Sequence, residues 1–262
     1  MAEYSLNKKR YKAGLAILVV TLAMGGLLIT PHSSYAEDNR LPAINSSGNI
    51  NTSLRENSHQ LSEQELNKLF QNAVKSDLAG NPSLARKGYD YLADTQIAPL
   101  IAVPSSVNYV ALDNFDAAKK AFSPLMFSSN VKEADYARLW DLWLTARTWT
   151  KGKTALEKAL SQKVSEYRWH TGYGQAIADL YAGKINTETL FNTIENTPDI
   201  STEIKLDAQT EAAFFAVGYF QYVKNDIPKA REVFQRSYSK LNDISLERPL
   251  INREVEKFSK LN

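Results

Sequence analysis

The chain has 262 residues, 44% of them hydrophobic and 23% charged, which suits a protein with a real core and excludes a wholly disordered polymer. Its net charge of +2 excludes the strongly basic balance of a nucleic-acid binder. There is no cysteine, so neither disulfide stapling nor an N-terminal lipidated cysteine is available.

In chain order, the first element is a basic head, Lys8, Lys9, Arg10 and Lys12, followed by an uncharged run from Ala13 to Thr30. Pro31 and Ser34-Tyr35-Ala36 come next, directly before Glu37-Asp38. A charged start, an apolar middle and small residues before a potential cut define a secretory signal peptide over 1–36. Its removal takes four of 31 basic and one of 29 acidic residues, leaving a near-neutral chain of 27 against 28. The expected product is exported and periplasmic, with no stable membrane insertion. An uncleaved signal would instead anchor it to the inner membrane, since about 18 apolar residues is the lower limit for a span. Residues 37–58, rich in Asn and Ser, are expected to form a flexible leader.

From 59 to 262 the apolar residues recur with helical spacing and without useful strand alternation, so the fold expected is all-α. Ser62 and Glu65 form a capping box before Leu66, Leu69, Phe70, Ala73 and Val74. Gly80-Asn81-Pro82 breaks this helix, and a second carries Leu84, Ala85, Tyr89 and Leu92. Pro104 is expected in the first turn of the next, with Val107, Val110 and Leu112. Its return helix spans Phe115 to Leu125, with Pro124 ending or kinking the last turn.

The third pair holds Tyr136, Leu139, Trp140, Trp143 and Leu144, then a turn at Lys151-Gly152-Lys153 and a helix from Thr154 to Lys163. The fourth has Tyr173, Ala176, Ile177, Leu180 and Tyr181, an end at Gly183, and a second helix capped by Asn186. The fifth runs through Ala213, Phe214, Val217, Gly218 and Tyr222 to Ala230, Val233 and Phe234. Leu246 to Phe258 is expected to be a final capping helix.

Three return helices share one phrase: Ala85-x3-Tyr89, Ala118-x3-Phe122 and Ala230-x3-Phe234. A small residue followed by an aromatic four later lies on one helix face, the second-helix signature of a tetratricopeptide repeat with its period of about 34 residues. With Ala85, Ala118, Ala155, Leu190 and Ala230 as equivalents, the intervals are 33, 37, 35 and 40. The expected architecture is therefore a tetratricopeptide-repeat-like α-solenoid of about five hairpins. Gly218 and Ala230 permit close helix approach, and Phe234 fills the gap between hairpins. An irregular bundle is the alternative.

First helices of such repeats line a concave groove. Taking Gly218 as a close-packing position places Phe215, Tyr219 and Tyr222 toward that groove, with Trp140, Leu144 and Arg147 equivalent in the third unit. Aromatic and Arg side chains are frequent partner anchors. Core filling is an equal reading for Trp140 and Phe215 and the preferred one for Trp143 and Trp169.

Catalytic patterns are sparse. Beyond the signal the histidines are His59 and His170, with no His-x3-His and no cysteine pair to hold zinc, so neither metal nor cofactor is expected. Gly152-Lys153-Thr154 resembles the end of a phosphate loop, but Arg147 stands where the first glycine is required. Asp135, Asp141, Glu157 and Glu166 are carboxylates from which glycoside chemistry could draw a pair, and nothing in the sequence selects one.

Asn114-Phe115-Asp116-Ala117-Ala118 with Phe122, Leu139-Trp140, Trp169, Leu180-Tyr181-Ala182-Gly183 with Ile185 through Leu190, and Gly218 through Phe234 follow in a telling order. The chain resembles, over roughly half its length, the NlpI family of bacterial tetratricopeptide-repeat lipoproteins. That resemblance implies a periplasmic adaptor bringing a protease and peptidoglycan hydrolases together. The family's lipidated cysteine is missing here. The function expected is a non-catalytic scaffold for a protein or peptide partner, with room for a homo-oligomer. Two other roles fit the same features: a component of a pilus, secretion or exopolysaccharide machine, and an envelope-glycan-active enzyme.

Overall fold

Ser62 opens the first helix as a capping box, its hydroxyl accepting from the Glu65 amide while the Glu65 carboxylate accepts from the Ser62 amide at 2.8 Å. The structure, a computed structural model, describes residues 61–259 apart from residue 199. The expected signal peptide and leader lie outside the described residues. Eleven α-helices and no strands make up these residues: α1 (Glu63–Leu78), α2 (Pro82–Leu92), α3 (Ala98–Ala111), α4 (Phe115–Leu125), α5 (Val131–Arg147), α6 (Lys153–Glu166), α7 (Gly172–Tyr181), α8 (Thr187–Glu195), α9 (Thr202–Gly218), α10 (Ile227–Ser237) and α11 (Arg248–Ser259). The fold is all-α.

Side-chain caps start most of these helices, as Asn114, Asn130, Thr171, Asn186, Ser201 and Asp226 each accept from amides in the first turn. One proline differs from expectation. Pro99 takes the first turn of α3, where a missing N–H costs nothing, and Pro104 lies buried in its interior. The α3 helix therefore begins earlier than the sequence suggests. Ser201 caps the start of α9, and a π-helical turn, Tyr219–Lys224, extends it to Asn225, where φ turns to 54°.

Short connections fold consecutive helices back on one another, giving five hairpins: α1/α2, α3/α4, α5/α6, α7/α8 and α9/α10. Each return helix also packs on the first helix of the next pair. The repeat positions Ala85, Tyr89, Ala118, Phe122, Ala230 and Phe234 are buried. Ala155 is not. It faces solvent, and Leu156, Leu160 and Val164 form the buried stripe of α6. The register there is one residue later, because Leu156 can fill the space that an alanine would leave empty. Buried positions 85, 118, 156, 190 and 230 are then spaced by 33, 38, 34 and 40.

Two apolar clusters result. One holds the first hairpin and the start of α3, including Leu66, Phe70, Tyr89 and Ile101; the other extends from Val107 to Phe258. The α3 helix contributes to both, and polar groups stitch the seam between them. Asn108 donates to Asp77 at 2.7 Å and to the Pro82 carbonyl at 2.9 Å. Arg86 donates to Ser105 Oγ at 2.8 Å and lies 4.2 Å above the Tyr109 ring.

One packing departs from a linear array, in which units touch only their neighbours. Helices α5 and α9, from the third and fifth hairpins, meet directly. The intervening α7 has 10 residues against 17 in each of the others, roughly 15 Å against 25 Å, so α5 and α9 close over its end. Gly218 makes that approach possible. A Cβ there would sit 2.4 Å from Trp143 Nε1, inside any allowed contact.

Candidate functional site

The expected groove residues gather at this closure, and four of them are inside it. Trp140, Leu144 and Phe215 have no exposed surface, and Tyr219 is buried. They fill an aromatic seam and do not line an open groove, which corrects the sequence expectation for these four. Trp140 stacks on Phe122 at 5.4 Å and meets Phe214 and Phe215 at 5.1 and 5.4 Å. Trp143 stacks on Phe214 at 5.7 Å. Tyr219 packs on Tyr181, whose hydroxyl donates to the Phe215 carbonyl at 2.9 Å. The short α7 is the cause, since two apolar faces brought together exclude water more completely than a groove would.

Arg147 and Tyr222 do reach the edge of the seam. The Arg147 guanidinium lies 5.1 Å above the Tyr222 ring and 4.9 Å above Phe115, while Trp143 meets Tyr222 edge-on at 5.5 Å. All three edge residues are half-buried. Burial, aided by the nearby Glu254 carboxylate, pushes the Tyr222 phenol up to about 12. This is a fixed cation–aromatic patch, and it adjoins the C-terminal segment. Arg253 donates to the Ala111 carbonyl at 2.8 Å and lies 3.4 Å from Asp113, while Gln221 donates to Glu254 at 3.0 Å.

The four carboxylates singled out in sequence do not pair with one another. Asp141 accepts from Lys163 at 2.8 Å and from the Tyr167 hydroxyl at 2.6 Å. Glu157 meets Lys224 at 2.8 Å, and Glu166 accepts from Gln162 at 2.8 Å. Asp135 is buried and saturated. It accepts from Arg138 Nη1 at 3.0 Å, the His170 and Thr171 amides at 2.9 and 2.7 Å, and Thr171 Oγ1 at 3.0 Å, while His170 Nδ1 lies 3.0 Å away. Thr171 Oγ1 also accepts from the Gly174 amide at 3.2 Å, as the α7 cap. Asp135 and His170 therefore clamp the α6–α7 connection onto α5. Gly152, with φ of 86°, forms the turn before α6, and its carbonyl accepts from Trp149 Nε1 at 3.0 Å.

A different carboxyl pair emerges from the fold. Glu247, on the segment before α11, is buried and accepts from the Tyr136 hydroxyl of α5. Glu211 of α9, half-buried, lies within electrostatic range of Glu247, Asp207 and Lys132, and Asn242 donates to Asp207. Burial raises both glutamic acids above the ordinary carboxylate value; the charges of Glu247 and Asp207 add to this at Glu211, while at Glu247 the hydrogen bond from the Tyr136 hydroxyl opposes it. Sequence reasoning missed the pair because Glu247 is distant in the chain. A signal for Glu211 existed: it shares a helical stripe with Ala208, Phe214 and Phe215. Among the described residues no group of three or more His, Asp or Glu is placed to hold a metal ion.

Compared with known proteins, the chain matches no family model and no curated relative. No helix among the described residues is long and apolar enough to cross a membrane.

Proposed function

We propose that this protein is a non-catalytic helical-repeat scaffold of the bacterial periplasm, holding a protein or peptide partner in maintenance of the cell envelope. The observation that supports this best is the stacking of five hairpins with Ala85, Ala118, Leu156, Leu190 and Ala230 all buried at the hairpin interfaces. Such stacking makes a rigid frame, and rigid frames bind without a large ordering cost. The resemblance to NlpI-type adaptors suggests a protease or a peptidoglycan hydrolase as the partner.

The binding contacts would centre on the half-buried edge formed by Phe115, Arg147 and Tyr222. Retention of partners from a periplasmic extract tests this, using purified chain with and without Arg147→Ala. The expected outcome is a protein retained by the wild type and held roughly tenfold more weakly by the variant. Equal retention by both would remove this edge from the binding surface.

The Glu211 and Glu247 pair favours a second reading, an envelope-glycan-active enzyme. Its signature would be cleavage of cell-wall fragments by the purified chain, abolished by Glu211→Gln.

A further inference from the structure

In a linear repeat array the last helix covers the open side of the last hairpin. The α11 helix takes another place. Its principal helix packing is on α1, at the far end of the described chain. Arg253 ties it to the end of α3 through Ala111 and Asp113, and Glu254 to the turn after α9 through Gln221. The α10 helix reaches its last turn through Arg231, which donates to the Phe258 carbonyl at 2.8 Å. One short helix thus spans parts of the first, second and fifth hairpins.

The way it is held is that of a helix in a groove. Leu250, Ile251 and Phe258 are buried, with Val255 partly so, and they recur on one stripe at i, i+1, i+5 and i+8. Arg253 and Glu254 supply the polar contacts. Ten residues, 238–247, connect α10 to α11 and are themselves anchored through Asn242 and Glu247, so the helix can leave by giving up the Arg231 bond to the Phe258 carbonyl while this connection stays in place.

We propose that α11 is a resident occupant of the partner-binding face: the chain holds its own amphipathic helix across α1, α3 and the turn after α9, and a partner helix of the same pattern replaces it. The inference rests on the scaffold reading above and names the class of its partner. That partner presents an amphipathic helix with apolar residues at i, i+1, i+5 and i+8, an Arg at i+3 and a Glu at i+4.

A synthetic peptide of residues 246–259 is the probe, titrated calorimetrically into the full chain. In the full-length variants Leu250→Asp and Arg253→Ala the resident helix is weakened, and the peptide is expected to bind at least tenfold more tightly than to the wild type. Hydrogen exchange should show α11 deprotected and α9 unchanged in both. A peptide that itself carries Leu250→Asp should not bind. Three results would overturn the proposal: no gain in peptide affinity when α11 is deprotected, α11 protection as high as in the wild type in both variants, or loss of α9 protection in both. The last would make α11 an inseparable part of the array. Each of these would leave the scaffold reading standing if the wild type still retains envelope proteins in an Arg147-dependent way.

Discussion

Asp77 closes the last turn of α1 at the seam between the two apolar clusters. A carboxylate is poorly placed there, facing the negative end of its own helix and partly withdrawn from water. Burial raises its carboxyl from the ordinary 3.8 to about 6, against the opposing pull of the Asn108 amide and the Arg86 charge. The folded state therefore holds a proton that the unfolded chain has lost between these values. The contribution of Asp77 to stability is full below 3.8, falls as pH rises to about 6, and stays lost above it. Asp77→Asn keeps the oxygen that accepts from Asn108 and removes the ionisation. It is expected to raise stability at pH 7 by about 1–3 kcal/mol and to leave it nearly unchanged at pH 4, as urea unfolding at the two pH values would record.

At the scale of an element, α6 shows how a stack of helical hairpins tolerates a shift in register. The turn at Gly152 sets the start of the helix, and the stripe begins with Leu156. Leu156→Ala should cost about 2–5 kcal/mol by leaving a cavity, whereas Ala155→Lys should stay within about 0.5 kcal/mol, both measured by thermal unfolding. The reverse order would restore Ala155 to the interface.

Much of this level is legible in the sequence, because caps, turns and stripes are local. Ser62 with Glu65, Asn186, Gly183 and the Ala-x3-aromatic phrases mark their elements directly. The site is less legible. Whether Trp140 and Phe215 face a groove or a core depends on how far α7 extends between α5 and α9, and no local pattern encodes that. The pairing of Glu211 with Glu247 likewise needs the chain to return across α5.

For the whole molecule, the two closures change how stability is shared. A linear array unfolds approximately as a sum of units with nearest-neighbour terms. Here α5 meets α9, and α11 meets α1, so distant units depend on one another. Unfolding is expected to be a single calorimetric transition, with the measured enthalpy equal to the van't Hoff value. Phe258→Ala, which removes a buried side chain of α11 from the larger cluster and so loosens the helix that meets α1, should split it into two transitions as the first hairpin comes loose. A single unbroken transition in that variant would show that α11 does not couple the ends.

The aromatic seam also supplies the molecule with a built-in optical probe. All four tryptophans of the chain lie between positions 140 and 169, and Trp140 and Trp143 are the two buried in the contact of α5 with α9. Intrinsic emission excited in the indole band therefore comes from the third and fourth units alone and is silent about the first hairpin and α11. A blue-shifted spectrum would persist for as long as that contact excludes water, whatever has become of the two ends. Emission and ellipticity followed together would thus tell loss of the centre from loss of the ends, without a label attached anywhere.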